Sequence, residues 1–281
     1  MNELMQWLLP WQVSPLAQIV FWGAALCYIV GLVRRRREGR RDGFLRPLAF
    51  FVGLALMYAV MQTRLDYYAQ YLFFAHRAQH LVLHHLGPFL VALAAPWPAI
   101  GRGMPWPLNR ISRLPPVRLG YRALQQPAVA GLLFVGLIYF WLVPAVHFDA
   151  MISHRLYWVM NASMAIDGLL FWWLMLERGE PGATPRLPFG RRILVLALVM
   201  PPQIVLGAYI TFSSSNLFDV YAVCGRAFPI APLVDQQIGG LITWIPAAMM
   251  SVVGALVVLS FRLRGDLETD SRGDDSLEIT A

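Results

Sequence analysis

The chain carries seven mostly apolar stretches of about twenty residues each, the length a helix needs to cross a bilayer. They fall at 14–33, 46–62, 79–98, 127–143, 154–176, 191–212 and 235–262, with the second and fourth the shortest. With 58% hydrophobic and only 14% charged residues in 281, a water-soluble domain has no way to bury them all. Lipid leaves backbone N–H and C=O groups no partner but each other, so such segments become helices. The expected fold is therefore all-α, a polytopic integral membrane protein of about seven transmembrane helices.

Charge then orients the bundle. All 23 basic residues are Arg, which stays protonated at any ordinary pH, and the net charge is +7. Nineteen of them sit in the segments 34–46, 101–126 and 177–192 and in the tail counted from Arg262, whereas only Arg64, Arg77, Arg155 and Arg226 lie elsewhere. The positive-inside rule places every Arg-rich segment in the cytoplasm, with the N-terminus outside and the C-terminus inside. Basic residues distributed this way engage the lipid bilayer and do not point to nucleic acid. The N-terminus holds Glu3 and no basic residue before the first apolar stretch, so that stretch reads as a retained helix and not a cleaved signal. Residues 1–264 form the expected transmembrane domain, and the acidic segment 265–281 reads as a disordered cytoplasmic tail. Trp7, Trp11, Tyr67, Tyr68, Tyr71, Trp97, Trp106, Trp158, Trp172 and Trp173 fall near predicted helix ends, as interfacial anchors do. Two cysteines, Cys27 and Cys224, make no disulfide framework.

Chemistry concentrates in the histidines. On this topology all six lie toward the outer side: His76, His80, His84 and His85 at the outer end of the third helix, His147 after the fourth, and His154 opening the fifth. A spacing of four turns each of His76, His80 and His84 about 40° from the last and raises it about 6 Å, so consecutive members share a face. Neighbouring pairs can share a metal ion, with His147 or His154 supplying a ligand from a second helix. Imidazole suits copper, zinc or iron, and the thioethers of Met57, Met61 and Met151 would favour Cu(I). Satisfied structural histidines explain the same spacing.

Three further features accompany them. Pro88 cannot donate to the His84 carbonyl, so the third helix should be kinked or loosened there, freeing that carbonyl. Pro201 and Pro202 should do the same in the sixth. Asp167 falls near mid-bilayer, where a carboxyl needs a partner, for which Gln203 or the loosened sixth helix is the expected choice. The run Asp235-Gln236-Gln237-Ile238-Gly239-Gly240 opens the seventh helix with a dipole-compatible acid and two glycines that allow close packing.

Two stretches together resemble a known family: His76-Arg77-Ala78-Gln79-His80-Leu81-Val82-Leu83 leading to Pro88 and Pro96, and Asp235 to Pro246 with its Asp-Gln-Gln-x-Gly-Gly-Leu-x-x-Trp-x-Pro pattern. They resemble the CtaG family of membrane proteins needed to assemble caa-type cytochrome c oxidases. Gly168-Leu169-Leu170-Phe171-Trp172 and Phe218-Asp219-Val220-Tyr221 fit the same resemblance. It implies a non-enzymatic assembly factor of the bacterial cytoplasmic (inner) membrane that helps copper reach the oxidase metal centre from the periplasmic face. Its implied partners are oxidase subunits and a periplasmic copper donor. The motif positions it carries over are His76, Gln79, His80, Asp235 and Gln236; His84, His85, His147 and His154 come from topology and spacing alone. Such proteins often have a His about seven residues before Gly-Leu-Leu-Phe-Trp, where this chain has Asn161. The alternatives are a copper permease using Asp167 and the helix breaks, and a b-type haem protein with paired axial imidazoles.

Overall fold

The computed structural model describes residues 12–40, 43–177 and 187–263 in full and 264–278 by backbone alone. The described chain is all-helical, 83% helix without a strand. In order, the helices are α1 Pro15–Arg37, α2 Leu45–Gln62, α3 Arg64–Tyr71, α4 Phe73–Leu93, α5 Trp97–Gly103, α6 Trp106–Ser112 and α7 Pro115–Leu124. They continue as α8 Pro127–Trp141, α9 Pro144–Ile152, α10 His154–Leu176, α11 Phe189–Phe212, α12 Val220–Val223 and α13 Pro232–Glu278. Five of them, α1, α2, α10, α11 and the Pro232–Leu263 part of α13, are long and apolar enough to cross a membrane; α4 with α5 (bent 82°) and α7 with α8 (bent 73°) bring the number to seven if each bent pair is one span.

Local chemistry sets these boundaries. Proline occupies the first turn of α1, α8 and α9, where its missing N–H is not needed. Ser14 and Ser153 accept from the N–H groups of Ala17 and Leu156 at the starts of α1 and α10. Thr63 stops α2 and caps α3 in one step, its hydroxyl donating to the Ala59 carbonyl at 2.6 Å and accepting from the Leu65 N–H at 3.3 Å.

The third span departs from the sequence expectation in a way that matters for the site. It starts at Phe73, not near residue 79, so the histidines do not sit at its outer tip but run down its first half. A hydropathy window rejects His76 and Arg77 as membrane residues, yet both are buried against other helices. At Val82–Leu86 the helix widens into a π turn, the loosening expected from Pro88. The freed His84 carbonyl accepts from the Trp172 indole N–H at 3.2 Å. Gly168 lets α10 approach that turn backbone to backbone, since a Cβ there would stand 2.5 Å from the His84 oxygen.

Other expectations need correction. α11 stays one helix through Pro201 and Pro202; the Tyr139 hydroxyl donates to the Pro202 carbonyl at 2.7 Å instead of a break opening. Trp172 is no interfacial anchor but a fully buried core residue. Trp7 and Trp11 lie outside the described residues, and the tail expected to be disordered over 265–281 lies outside the fully described ones.

The core divides along the bundle axis. Around Phe89, Phe134, Phe171, Trp172, Leu196 and Val258 it is apolar and tightly ringed, with Phe134 stacked on Phe171 at 3.7 Å. At that end Arg192, fully buried, donates to the carbonyls of Leu187, Met175 and Glu177 and so ties α11 to the end of α10. Toward the Phe73 end a second cluster, including Phe73, Trp141, Met160, Phe218 and Tyr221, frames the histidines.

Candidate functional site

His76, His80 and His147 meet at the Phe73 end. The His76 ring lies 4.2 Å from that of His80 and 5.1 Å from that of His147, centroid to centroid, and all three are buried. Spacing by four put the first pair together; α9 brings in the third. His147 is fixed, its Nδ1–H donating to the Trp141 carbonyl and its Nε2 accepting from the Tyr221 hydroxyl, each at 3.0 Å. Burial pushes its pKa down to about 3, against the Trp141 carbonyl, which favours the charged form. His80 is also committed: Nε2 lies 3.0 Å from the Asn161 side-chain oxygen, and Nδ1 faces the Arg77 guanidinium at 3.4 Å. That pattern assigns its proton to Nε2.

His76 differs from both. Apart from a weak approach to the Ala69 carbonyl, neither of its ring nitrogens has a hydrogen-bond partner, although the residue is fully buried. An imidazole left unpaired in such a setting costs about 1–3 kcal/mol. Among the described residues, no three His, Cys, Asp or Glu side chains are arranged to hold one ion as they stand. A shared ion between His76 and either neighbour therefore requires that neighbour to exchange a hydrogen bond for the metal.

The remaining histidines separate. His84 and His85 lie deeper, at the π turn, where His84 Nε2 meets Asp167 Oδ2 at 2.9 Å. The mid-bilayer acid thus finds a histidine of the third span, not the sixth helix; Gln203 bonds its own helix at the Val199 carbonyl. His154 is exposed at the start of α10 and does not join the others. Met57 and Met61 pack in an apolar cluster with Phe21, Leu83 and Ala165, apart from the histidine group, whereas Met151 packs against the cluster that frames it.

The motif residues turn out to position the histidine helix. Asp235, buried in the first turn of α13, caps α4 and not its own helix: its carboxylate accepts from the N–H groups of Phe73 at 3.1 Å and Phe74 at 2.8 Å, and pairs with Arg226. The two glycines that follow admit Phe73 and Thr211, each of which would lie within 2.4 Å of an added Cβ. Gln236 pins the loop before α12, accepting from the Leu217 N–H at 2.7 Å and donating to the Ser215 carbonyl at 3.1 Å. Gln79 donates to the Val60 carbonyl and to Asp66.

Several participants escaped sequence reasoning. Asp66 is buried, accepts from Tyr157, Gln79 and Gln70, and has its carboxyl pushed up by burial against those three hydrogen bonds. Its signal was available, since it is the only acid in the loop between the second and third apolar stretches. Arg77 is buried and donates to the Thr243 hydroxyl at 2.9 Å and toward His80, not to a carboxylate. Asn161, noted only as a departure from the expected His, is the partner of His80.

The sequence model of the cytochrome c oxidase caa3 assembly factor family matches residues 26–264. Uncharacterized proteins of Mycobacterium leprae (27% identical over 269 residues, 90% of this chain) and Mycobacterium bovis (27% over 273 residues, 89%) are similar. So is one of Mycobacterium tuberculosis, with the same 27% over 273 residues. The chain spans 39% of the length of each of these relatives. No solved structure matches.

Proposed function

The chain belongs to the cytochrome c oxidase caa3 assembly factor family, and from that premise we propose that it assists maturation of the oxidase metal centre by holding Cu(I) at the histidine end of its bundle. The observation that carries this is His76, buried, unpaired at both ring nitrogens and packed between two other imidazoles. A metal ion supplies the partner this ring lacks, and imidazole suits copper. Asp235, Gln79 and Gln236 act through position: they hold α4 and its neighbours so that the rings converge. The role is that of a metal-holding chaperone, not an enzyme.

The Arg-rich segments favour an orientation with the histidine end at the periplasmic face of the inner membrane, the N-terminus outside and the C-terminus inside. There it would meet a periplasmic copper donor and the oxidase subunits. Delivery is supported over passage across the membrane because the opposite half of the bundle is closed by the Phe134, Phe171 and Trp172 rings. The void beside His80, His84 and His85 has room for about one water molecule, a size that suits an ion and not a haem.

The test is made in cells lacking the protein and supplied with either wild type or a His76→Ala/His80→Ala variant that reaches the membrane at equal level. The expected result is an oxidase that assembles with copper only beside the wild type. A copper-replete oxidase beside the variant would contradict the role given to these histidines.

A further inference from the structure

The π turn of α4 places two histidines where a regular helix would not. Adjacent side chains on an α-helix point about 100° apart, yet His84 and His85 both line one small void, with rings 4.9 Å apart. Both residues are buried, at 1% and 3% exposure, and the Nδ1 atom of each has no hydrogen-bond partner. His84 holds Asp167 through its other nitrogen at 2.9 Å. With the Asp167 carboxylate accepting, the proton sits on Nε2 and the Nδ1 lone pair is bare. A histidine oriented by a carboxylate behind it is the arrangement metal-ligating histidines use. π turns inside helices recur at functional sites.

Met164 of α10 lines the same void and brings a thioether. His80 borders it as well but has both nitrogens engaged. The space has room for about one water molecule, hence for one ion. We propose that His84, His85 and Met164 form a second Cu(I) site, deeper in the bundle than the His76 group, with Asp167 as the positioning residue that sets the His84 tautomer. This inference rests on the copper reading above but not on its ligands.

The donor set selects the ion. Two imidazoles and a thioether are soft enough for Cu(I) and poor for Ca²⁺ or Mg²⁺. Arg77 borders the same void, and its positive charge offsets that of Asp167. A monovalent ion then leaves one net positive charge and a divalent ion two, in a region where each buried charge is expensive. Cu(I) is favoured over Zn²⁺ on charge as well as softness.

The experiment uses the full chain, purified in detergent and loaded with Cu(I), with copper counted per chain and its neighbours read by X-ray absorption. Wild type should bind about two copper ions and show a sulfur neighbour. Met164→Leu, close in volume, should lose the sulfur signal and bind the deeper ion at least tenfold more weakly. His84→Gln/His85→Gln should drop to about one copper without sulfur. His76→Ala/His80→Ala should also drop to about one but keep the sulfur, and excess Zn²⁺ should not displace it. Elution as a folded species qualifies each variant, and the glutamine pair serves if the leucine variant fails that check. No sulfur in wild type, or a sulfur signal indifferent to both the leucine and glutamine variants, would overturn the deeper site. Full copper retention in His76→Ala/His80→Ala with loss of sulfur in Met164→Leu would instead remove the outer ligands and leave the deeper site standing.

Discussion

At the Arg192 end of the bundle, α4, α8 and α10 bury Phe89, Phe134, Phe171 and Trp172 in close aromatic contact, and the one fully buried cation there donates to three backbone carbonyls. At the Phe73 end the same three helices, with α9 and α13, bury five histidines, Arg77, Asp66, Asp167 and Asp235. The first half is filled by rings, and the cation buried there keeps three of its bonds though its Nη2 has no partner. The second half leaves nitrogens of His76, His84 and His85 without partners, at a cost no packing need explains. On the proposed copper reading, stability and function divide along the bundle axis, with the π turn and the Trp172 bond to the His84 carbonyl at the seam.

Cutting into the packed half should do the most damage. Trp172→Ala removes a fully buried indole and its bond to His84, and should cost about 3–5 kcal/mol; a lowered melting temperature in detergent checks it, and a loss under about 1 kcal/mol would break the division of labour. Next comes Asp235→Ala, which strips two N–H groups of α4 and Arg226 of their acceptor. A loss of about 2–3 kcal/mol is expected from bonds to a charged acceptor, together with weaker copper binding because α4 is no longer held. By contrast, His76→Leu should leave the melting temperature unchanged or slightly higher, since it deletes two unpaired buried atoms, while abolishing copper at that end; a large destabilisation would mean the ring is structural.

Smaller effects sharpen the picture. Asn161→His puts an imidazole where the side chain already touches His80, and should tighten copper binding severalfold in a competition titration; weaker binding would show that the amide is needed. For pH, the His147 pKa falls to about 3 when folded from the ordinary 6.5. The unfolded chain therefore binds the extra proton between those values, and stability contributed by neutral His147 is complete above 6.5 and is lost as pH falls toward 3. Its share of the slope is at most about 1.4 kcal/mol per pH unit, and His147→Gln should flatten a melting-temperature profile over that window.

Much of the architecture was legible because span length and hydropathy report the lipid directly. What stayed hidden was burial against protein. His76 and Arg77 fell outside the third apolar stretch because a hydropathy window cannot distinguish a helix interface from water, so the span was placed about a turn and a half late. The same shift put His84 at the outer end of its helix and Asp167 near mid-bilayer, so their pairing was not foreseen even though each was singled out. Asp235 was read as a cap for its own helix, whereas it caps α4 across 162 residues of sequence. The resemblance singled out Gln79, Asp235 and Gln236, but their place as struts for α4 follows only from the hydrogen bonds. Met57 and Met61 had the better spacing, yet it is Met164 that lines the void bordered by His84 and His85.

The most direct measurement of the central claim is copper bound per chain after Cu(I) loading, with the absorption spectrum recorded, for wild type beside His76→Ala/His80→Ala. The account predicts that the variant holds about one copper fewer while still eluting as a folded species, and that neither sample shows a haem Soret band. An unchanged copper count, or a Soret band that the variant loses, would contradict it.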